Sequence, residues 1–125
     1  MKEEIIKKAQ DLWDSGKQNE AIALLRPLAM DGHIVAKSNL GLFLVYYFEN
    51  NELPYIDEGV KLLQEACEAG EPSACHNLGT LWMDTNQSIG HDRKKAAFYF
   101  LKARDLGGNT ADETFYEMWE KELSG

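Results

Sequence analysis

The sequence predicts an all-α protein, a stacked-helix solenoid of about seven helices, and three observations carry that prediction. A segment of about a dozen residues occurs three times, at 20–32, 58–70 and 95–107, and its closing glycines Gly32, Gly70 and Gly107 lie 38 and 37 residues apart. A second segment recurs in step with it, 36–44 aligning with 74–82 and again with 111–119. A fixed period of this length is the mark of helix pairs that cannot bury their apolar faces alone and do so by stacking. Third, the 125 residues are 44% apolar and 27% charged, with no Gly/Ser/Pro-rich linker or low-complexity run to divide them, so one domain with one continuous core is expected.

The elements follow in chain order. In the first "A" helix, Ile5, Ala9, Leu12 and Trp13 fall at i, i+4, i+7 and i+8, one face of a helix. The first "B" helix has the stripe Ala21, Leu24, Leu25 and Leu28, and Gly32 stops it, because glycine accepts the left-handed conformation of a helix C′ residue. Pro27 lies inside this helix and is expected to bend it. Ala36, Leu40, Phe43 and Leu44 repeat the A spacing, and Gly59, Leu62, Leu63 and Ala66 repeat the B spacing up to Gly70. Pro72 and Ser73 suit the start of the third A helix, whose stripe is Ala74, Leu78, Leu81 and Trp82. Ala96, Tyr99, Phe100 and Ala103 form the third B stripe before Gly107, and a last A helix through Trp119 closes the stack. Trp13, Leu44, Trp82 and Trp119 thus occupy one equivalent position in four A helices. Glycine inside a helix costs about 1 kcal/mol relative to alanine. Gly41, Gly59 and Gly79 are therefore read as places where A and B helices approach too closely for a side chain. The units run about 3–32, 33–70 and 71–107, with a closing helix over 109–123.

Charge and motifs exclude several classes. With 21 acidic against 13 basic residues, the net charge of −8 opposes nucleic-acid binding, which needs a basic surface to displace phosphate counterions. No apolar run approaches the roughly 18 to 20 residues that span a bilayer, so no membrane association is expected. The start, Met1-Lys2-Glu3-Glu4, lacks the apolar stretch of a signal peptide, and a cytoplasmic location is expected. His33, His76 and His91 are scattered, and no nucleophile–base spacing, phosphate-binding glycine loop or metalloprotease helix accompanies them, so neither an enzyme nor a cofactor is expected. Cys67, Cys75 and His76 lack a fourth ligand for zinc, and no metal is expected.

The stretches Ala36…Asn39-Leu40-Gly41, Ala74…Asn77-Leu78-Gly79 and Lys95-Ala96…Lys102-Ala103…Gly107 resemble the Sel1-like repeat, a relative of the tetratricopeptide repeat. Gly90-His91-Asp92-Arg93-Lys94-Lys95-Ala96 is similar to that family's loop before its second helix. The resemblance covers residues 4–119 and implies a right-handed superhelix of antiparallel helix pairs that serves as a protein-binding scaffold without family-wide catalytic residues. The chain departs from the family at 45–57, which lacks the usual glycines and leaves room for a longer helix over 45–48. It departs again at Tyr116, which stands where the other units have glycine. The spacing of Cys67 and Cys75 resembles paired cysteines that form disulfides in exported Sel1-like proteins; for a cytosolic chain, reduced and half-buried thiols are the favoured alternative.

If the A helices line the inner face, as in tetratricopeptide relatives, the residues just off the buried stripe face a groove. The partner-binding candidates are Asp11 and Asp14, then Leu42 and Tyr46 with Val45, then His76, Met83 and Asp84, then Glu113, Glu117 and Glu120. This groove is apolar in the middle and acidic at both ends, which suits a basic protein or peptide partner carrying an apolar anchor. Leu42, Val45 and Tyr46 have an alternative place, packed under the 49–57 loop with Tyr55 and Ile56. Two variants of the function stay open. One is an immunity-type inhibitor that occludes a basic toxin. The other is a homo-oligomer built on Phe115, Tyr116 and Trp119 of the last helix, although a monomer is expected.

Overall fold

The computed structural model describes residues 1–46, 53–83, 92–108 and 111–125. Among them the chain is entirely helical, with no strand: α1 Lys2–Asp14, α2 Gln18–Met30, α3 Ile34–Val45, α4 Leu53–Glu68, α5 Pro72–Met83, α6 Arg93–Asp105 and α7 Glu113–Ser124. Each helix packs against its neighbours in sequence, and α3 also touches α1 and α5. The core accordingly runs along the chain as three successive clusters. The first is built on Ala9, Leu25, Leu40 and Leu44, the second on Leu63, Ala74, Leu78 and Leu81, and the third on Ala96, Phe100, Tyr116 and Trp119.

The apolar stripes read from the sequence are the ones that pack. Ala36, Leu40, Leu44, Ala74, Leu78 and Leu81 are buried, as are Ala21, Leu25, Leu63, Ala66, Ala96, Phe100 and Ala103. Along the equivalent position of the four A helices Leu44 and Trp119 are buried while Trp13 and Trp82 are half-buried. Trp13 stacks flat on Phe43 at 4.3 Å between ring centroids, and Lys95 lies 4.3 Å over the Trp82 ring.

Gly32, Gly70 and Gly107 end their helices with φ of 90°, 98° and 96°. In each, the glycine N–H bonds the carbonyl three residues back and the following N–H bonds the carbonyl five back, as in His33 N–H to Leu28 O at 3.1 Å. Gly16, φ 83°, ends α1 in the same way, outside the repeated B segment. Asp92 and Asp112 accept from the backbone N–H of Lys95 and Phe115, both at 3.1 Å, and so fix the starts of α6 and α7. That cap places the first residue of α7 at Glu113, later than the expected 109.

The inferred close approaches are present. A methyl at Gly41 would lie 2.8 Å from the Gly59 carbonyl oxygen and 2.9 Å from Leu63 Cγ; one at Gly59 would lie 2.6 Å from the Gly41 oxygen. At Gly79 the neighbour is the Phe100 ring, 2.7 Å away. Tyr116, where glycine stands in the other units, turns inward instead: it is 5% exposed, and its hydroxyl donates to Gly108 O at 3.3 Å.

Pro27 lies inside α2 as expected, and the helix continues past it to Met30 with the ring on its exposed side. The helix expected to run on over 45–48 departs from the finding at its start: α3 ends at Val45 with Tyr46 as its cap residue, and residues 47 and 48 lie outside the described residues. Residues 53–57, read as part of a loop, are the first turn of α4.

Candidate functional site

The proposed groove residues lie on the odd-numbered helices, and they divide into exposed carboxylates and packed apolar groups. Asp11 and Asp14 are exposed on α1, with Asp14 accepting from the Gln10 amide at 3.0 Å. Glu113 and Glu117 are exposed on α7 and make no ion pair among the described residues. Glu120 is also exposed but is engaged by Arg104 of α6, so its charge is already answered within the chain. Arg104 gains from that pairing, and its guanidinium is held above its ordinary pKa by hydrogen bonds to Glu120 and Asp105.

The residues expected in the middle of the groove are largely packed. Val45 is 1% exposed and lies against the backbone at Gly59, in the second core cluster. Ser38 is buried, and Leu42 and Tyr46 are half-buried, Tyr46 packing on the same cluster as Val45. Ile56 is buried too. Packing therefore accounts for Val45 outright and for part of Leu42 and Tyr46. Met83 is exposed at the end of α5, and Asp84 lies outside the described residues.

His76 belongs half to the core. Its ring sits 5.0 Å from that of Phe100 and 6.5 Å from that of Phe115, and Nδ1 is buried without a hydrogen-bond partner. Burial disfavours the imidazolium and lowers the pKa from its ordinary value. The ring borders a small cavity of about 140 Å³ with Pro72, Ser73, Asn77 and Gly108.

Cys67 and Cys75, 1% and 0% exposed, are joined as a disulfide that ties α4 to α5. The tight turn at Gly70 brings their Cα atoms to 4.8 Å, within the span a disulfide bridges. The favoured expectation of half-buried thiols is replaced by a buried bridge.

Phe115, Tyr116 and Trp119, offered as an oligomer surface, face inward: Tyr116 and Trp119 are buried and Phe115 is half-buried among Phe100, Tyr116 and Trp119. Met118 and Leu123, at 44% and 41% exposure, are the apolar residues that α7 leaves outside.

A cleft also lies on the even-numbered helices, where no site was expected. It measures about 550 Å³ and is bounded by Ile22, Ala23, Arg26, Pro27 and Met30 of α2 with Tyr55 of α4. Arg26 spans it to Glu58 with two hydrogen bonds, at 2.6 and 3.3 Å. A signal for it exists in the sequence: Ala23, Pro27 and Met30 stand where the next unit has Lys61, Glu65 and Glu68. Comparing only the A helices hides this difference.

Among the described residues no helix is long and apolar enough to cross a membrane, and no group of three or more His, Cys, Asp or Glu side chains could hold a metal ion. No family model, no curated protein and no solved structure matches the chain.

Proposed function

We propose that the chain is a non-enzymatic scaffold for protein–protein interaction, a Sel1-like or tetratricopeptide-like repeat wound as a right-handed solenoid of antiparallel helix pairs. Its partner is a basic protein or peptide that docks along the odd-numbered helices. The observation that carries this reading is the set of exposed carboxylates near the two chain ends, Asp11 on α1 and Glu113 and Glu117 on α7, which make no ion pair among the described residues. A chain with eight acidic groups in excess steers a basic partner toward such positions over distances of about a Debye length. Asp14 adds to the first end; Met83, with the exposed parts of Leu42 and Tyr46, supplies apolar contact between the ends. His76 offers only the exposed part of its half-buried ring.

Inhibition of a basic toxin by occlusion is the more specific form of this function. Nucleic acid and membranes are not its partners, and the protein works in the cytoplasm, with Cys67–Cys75 shielded from reductant by burial. Affinity purification from the source cell with wild type, Tyr46→Ala and Glu117→Lys tests the reading. A basic protein recovered by wild type should be reduced in Glu117→Lys and weakened in Tyr46→Ala. Recovery of the same proteins in the same amounts by all three forms would sink it.

A further inference from the structure

The three even-numbered helices present corresponding positions to solvent, and one of them breaks the pattern. Four outward positions of α4 are Asp57, Lys61, Glu65 and Glu68, all acidic or basic residues; the same four in α6 are Lys94, Phe98, Lys102 and Asp105, three of them acidic or basic. In α2 they are Asn19, Ala23, Pro27 and Met30, all exposed and none charged, with Met30 61% exposed. This uncharged stripe borders the cleft of about 550 Å³ between α2 and α4, a size that takes a large apolar side chain with room for its neighbours. The one cation on its wall, Arg26, is neutralised by Glu58, so no free charge opposes an apolar group entering there.

The surroundings of the cleft are not neutral. The first 46 residues hold six acidic and six basic side chains, so the whole acidic excess of eight falls after them. Its nearest part is α4, with Asp57, Glu58, Glu65 and Glu68 against the single Lys61. Asp57 and Glu68 are exposed and unpaired among the described residues. Glu58 and Glu65 are held by Arg26 and Lys37, which leaves Asp57 and Glu68 as the free carboxylates of α4 among the described residues. An apolar cleft beside them selects for opposite chemistry on a partner, an anchor that fills the cleft and cations that reach these two groups.

We propose that the α2–α4 cleft is a second docking site, which receives a large apolar side chain of a partner segment whose neighbouring residues are lysine or arginine. It stands on different helices from the groove of the proposed function and does not depend on it.

A random twelve-residue peptide display library selected on the intact chain tests this. The enriched peptides should pair Leu, Phe, Met or Trp with adjacent Lys or Arg. A synthetic peptide of the enriched sequence, followed by fluorescence anisotropy, should lose affinity by about tenfold or more with Ala23→Glu, which puts a carboxylate at the cleft mouth from an exposed position. Met30→Glu is the second such variant, and an unchanged helical circular-dichroism spectrum certifies both. Asp57→Lys combined with Glu68→Lys should weaken the peptide and remove most of the salt dependence of its binding. Tyr46→Ala and Glu117→Lys should leave it within about twofold, which separates this site from the odd-helix groove. No enrichment, peptides with acidic flanks or without an apolar anchor, or binding indifferent to Ala23→Glu and Met30→Glu would each overturn the proposal. So would sedimentation showing a dimer of this chain that Ala23→Glu dissolves, since a second copy would then be the occupant.

Discussion

Replacing Gly41 by alanine puts the packing of α3 on α4 to a quantitative test. The added methyl meets a backbone oxygen at 2.8 Å and Leu63 Cγ at 2.9 Å, where ordinary contact begins near 3.4 Å. A flexible side chain could turn aside, but the Gly59 carbonyl moves only with its helix, so α3 and α4 must separate by roughly half an ångström. Alanine gains about 1 kcal/mol in helix propensity. Overpacking of this kind costs about 1 to 3 kcal/mol, and a backbone contact on both sides puts it at or somewhat above the upper end. The net expectation is a loss of about 2 kcal/mol, or about 8 °C in melting temperature for a chain of this size. Gly79→Ala is the internal control, because its closest neighbour is the Phe100 ring at 2.7 Å, a side chain that can shift. It should lose about 1 kcal/mol or less. Urea unfolding followed by far-ultraviolet circular dichroism measures both. Gly41→Ala equal to or more stable than wild type would refute the close approach, as would Gly79→Ala proving the more harmful of the two.

Three further outcomes are expected. Asp112→Ala removes the side-chain acceptor at the start of α7 and should lower stability by about 1 kcal/mol in the same urea assay, with Asp112→Asn retaining most of it. His76 is held neutral by burial, so the unfolded chain takes up its proton first as pH falls. Its contribution to stability is whole above the ordinary value of 6.5 and is lost as pH drops below that value toward the lowered folded one. His76→Gln should therefore flatten the stability profile as pH falls below the ordinary histidine value of 6.5, relative to wild type, and parallel profiles would contradict the burial. Opening Cys67–Cys75, by reductant or as Cys67→Ser with Cys75→Ser, releases a loop eight residues long in sequence separation and should cost about 2 to 3 kcal/mol. Two free thiols titrated in unfolded, unreduced protein would show that the bridge does not form.

The parts of the fold visible in the sequence are those fixed by local rules repeated three times. Leu40 with Leu44, Leu78 with Leu81, and Phe100 with Ala103 share the spacing of one helix face, and each pair is buried. Gly32, Gly70 and Gly107 could be read because a left-handed residue leaves few alternatives to glycine. Gly41 and Gly59 were readable by their helix-propensity cost, which only close packing explains. The candidate site was less legible. Val45 and Glu120 sit at groove positions by register, yet one is covered by Gly59 of α4 and the other is bound by Arg104 of α6. Both partners come from helices whose placement the period alone does not set. The cleft beside Met30 escaped for a different reason. An exposed methionine is unremarkable by itself, and it acquires meaning only against Glu68 and Asp105 at the same place in the other units.

The central claim is that the repeated residues build the scaffold while the residues that differ between units bind. Amide chemical-shift mapping of the labelled chain, titrated with the basic protein recovered by affinity purification, tests it most directly. Shifts concentrated around Asp11, Met83, Glu113 and Glu117, with the buried stripes unmoved, are the predicted result. Shifts spread evenly over equivalent positions of all the units, or confined to surfaces away from those residues, would contradict it.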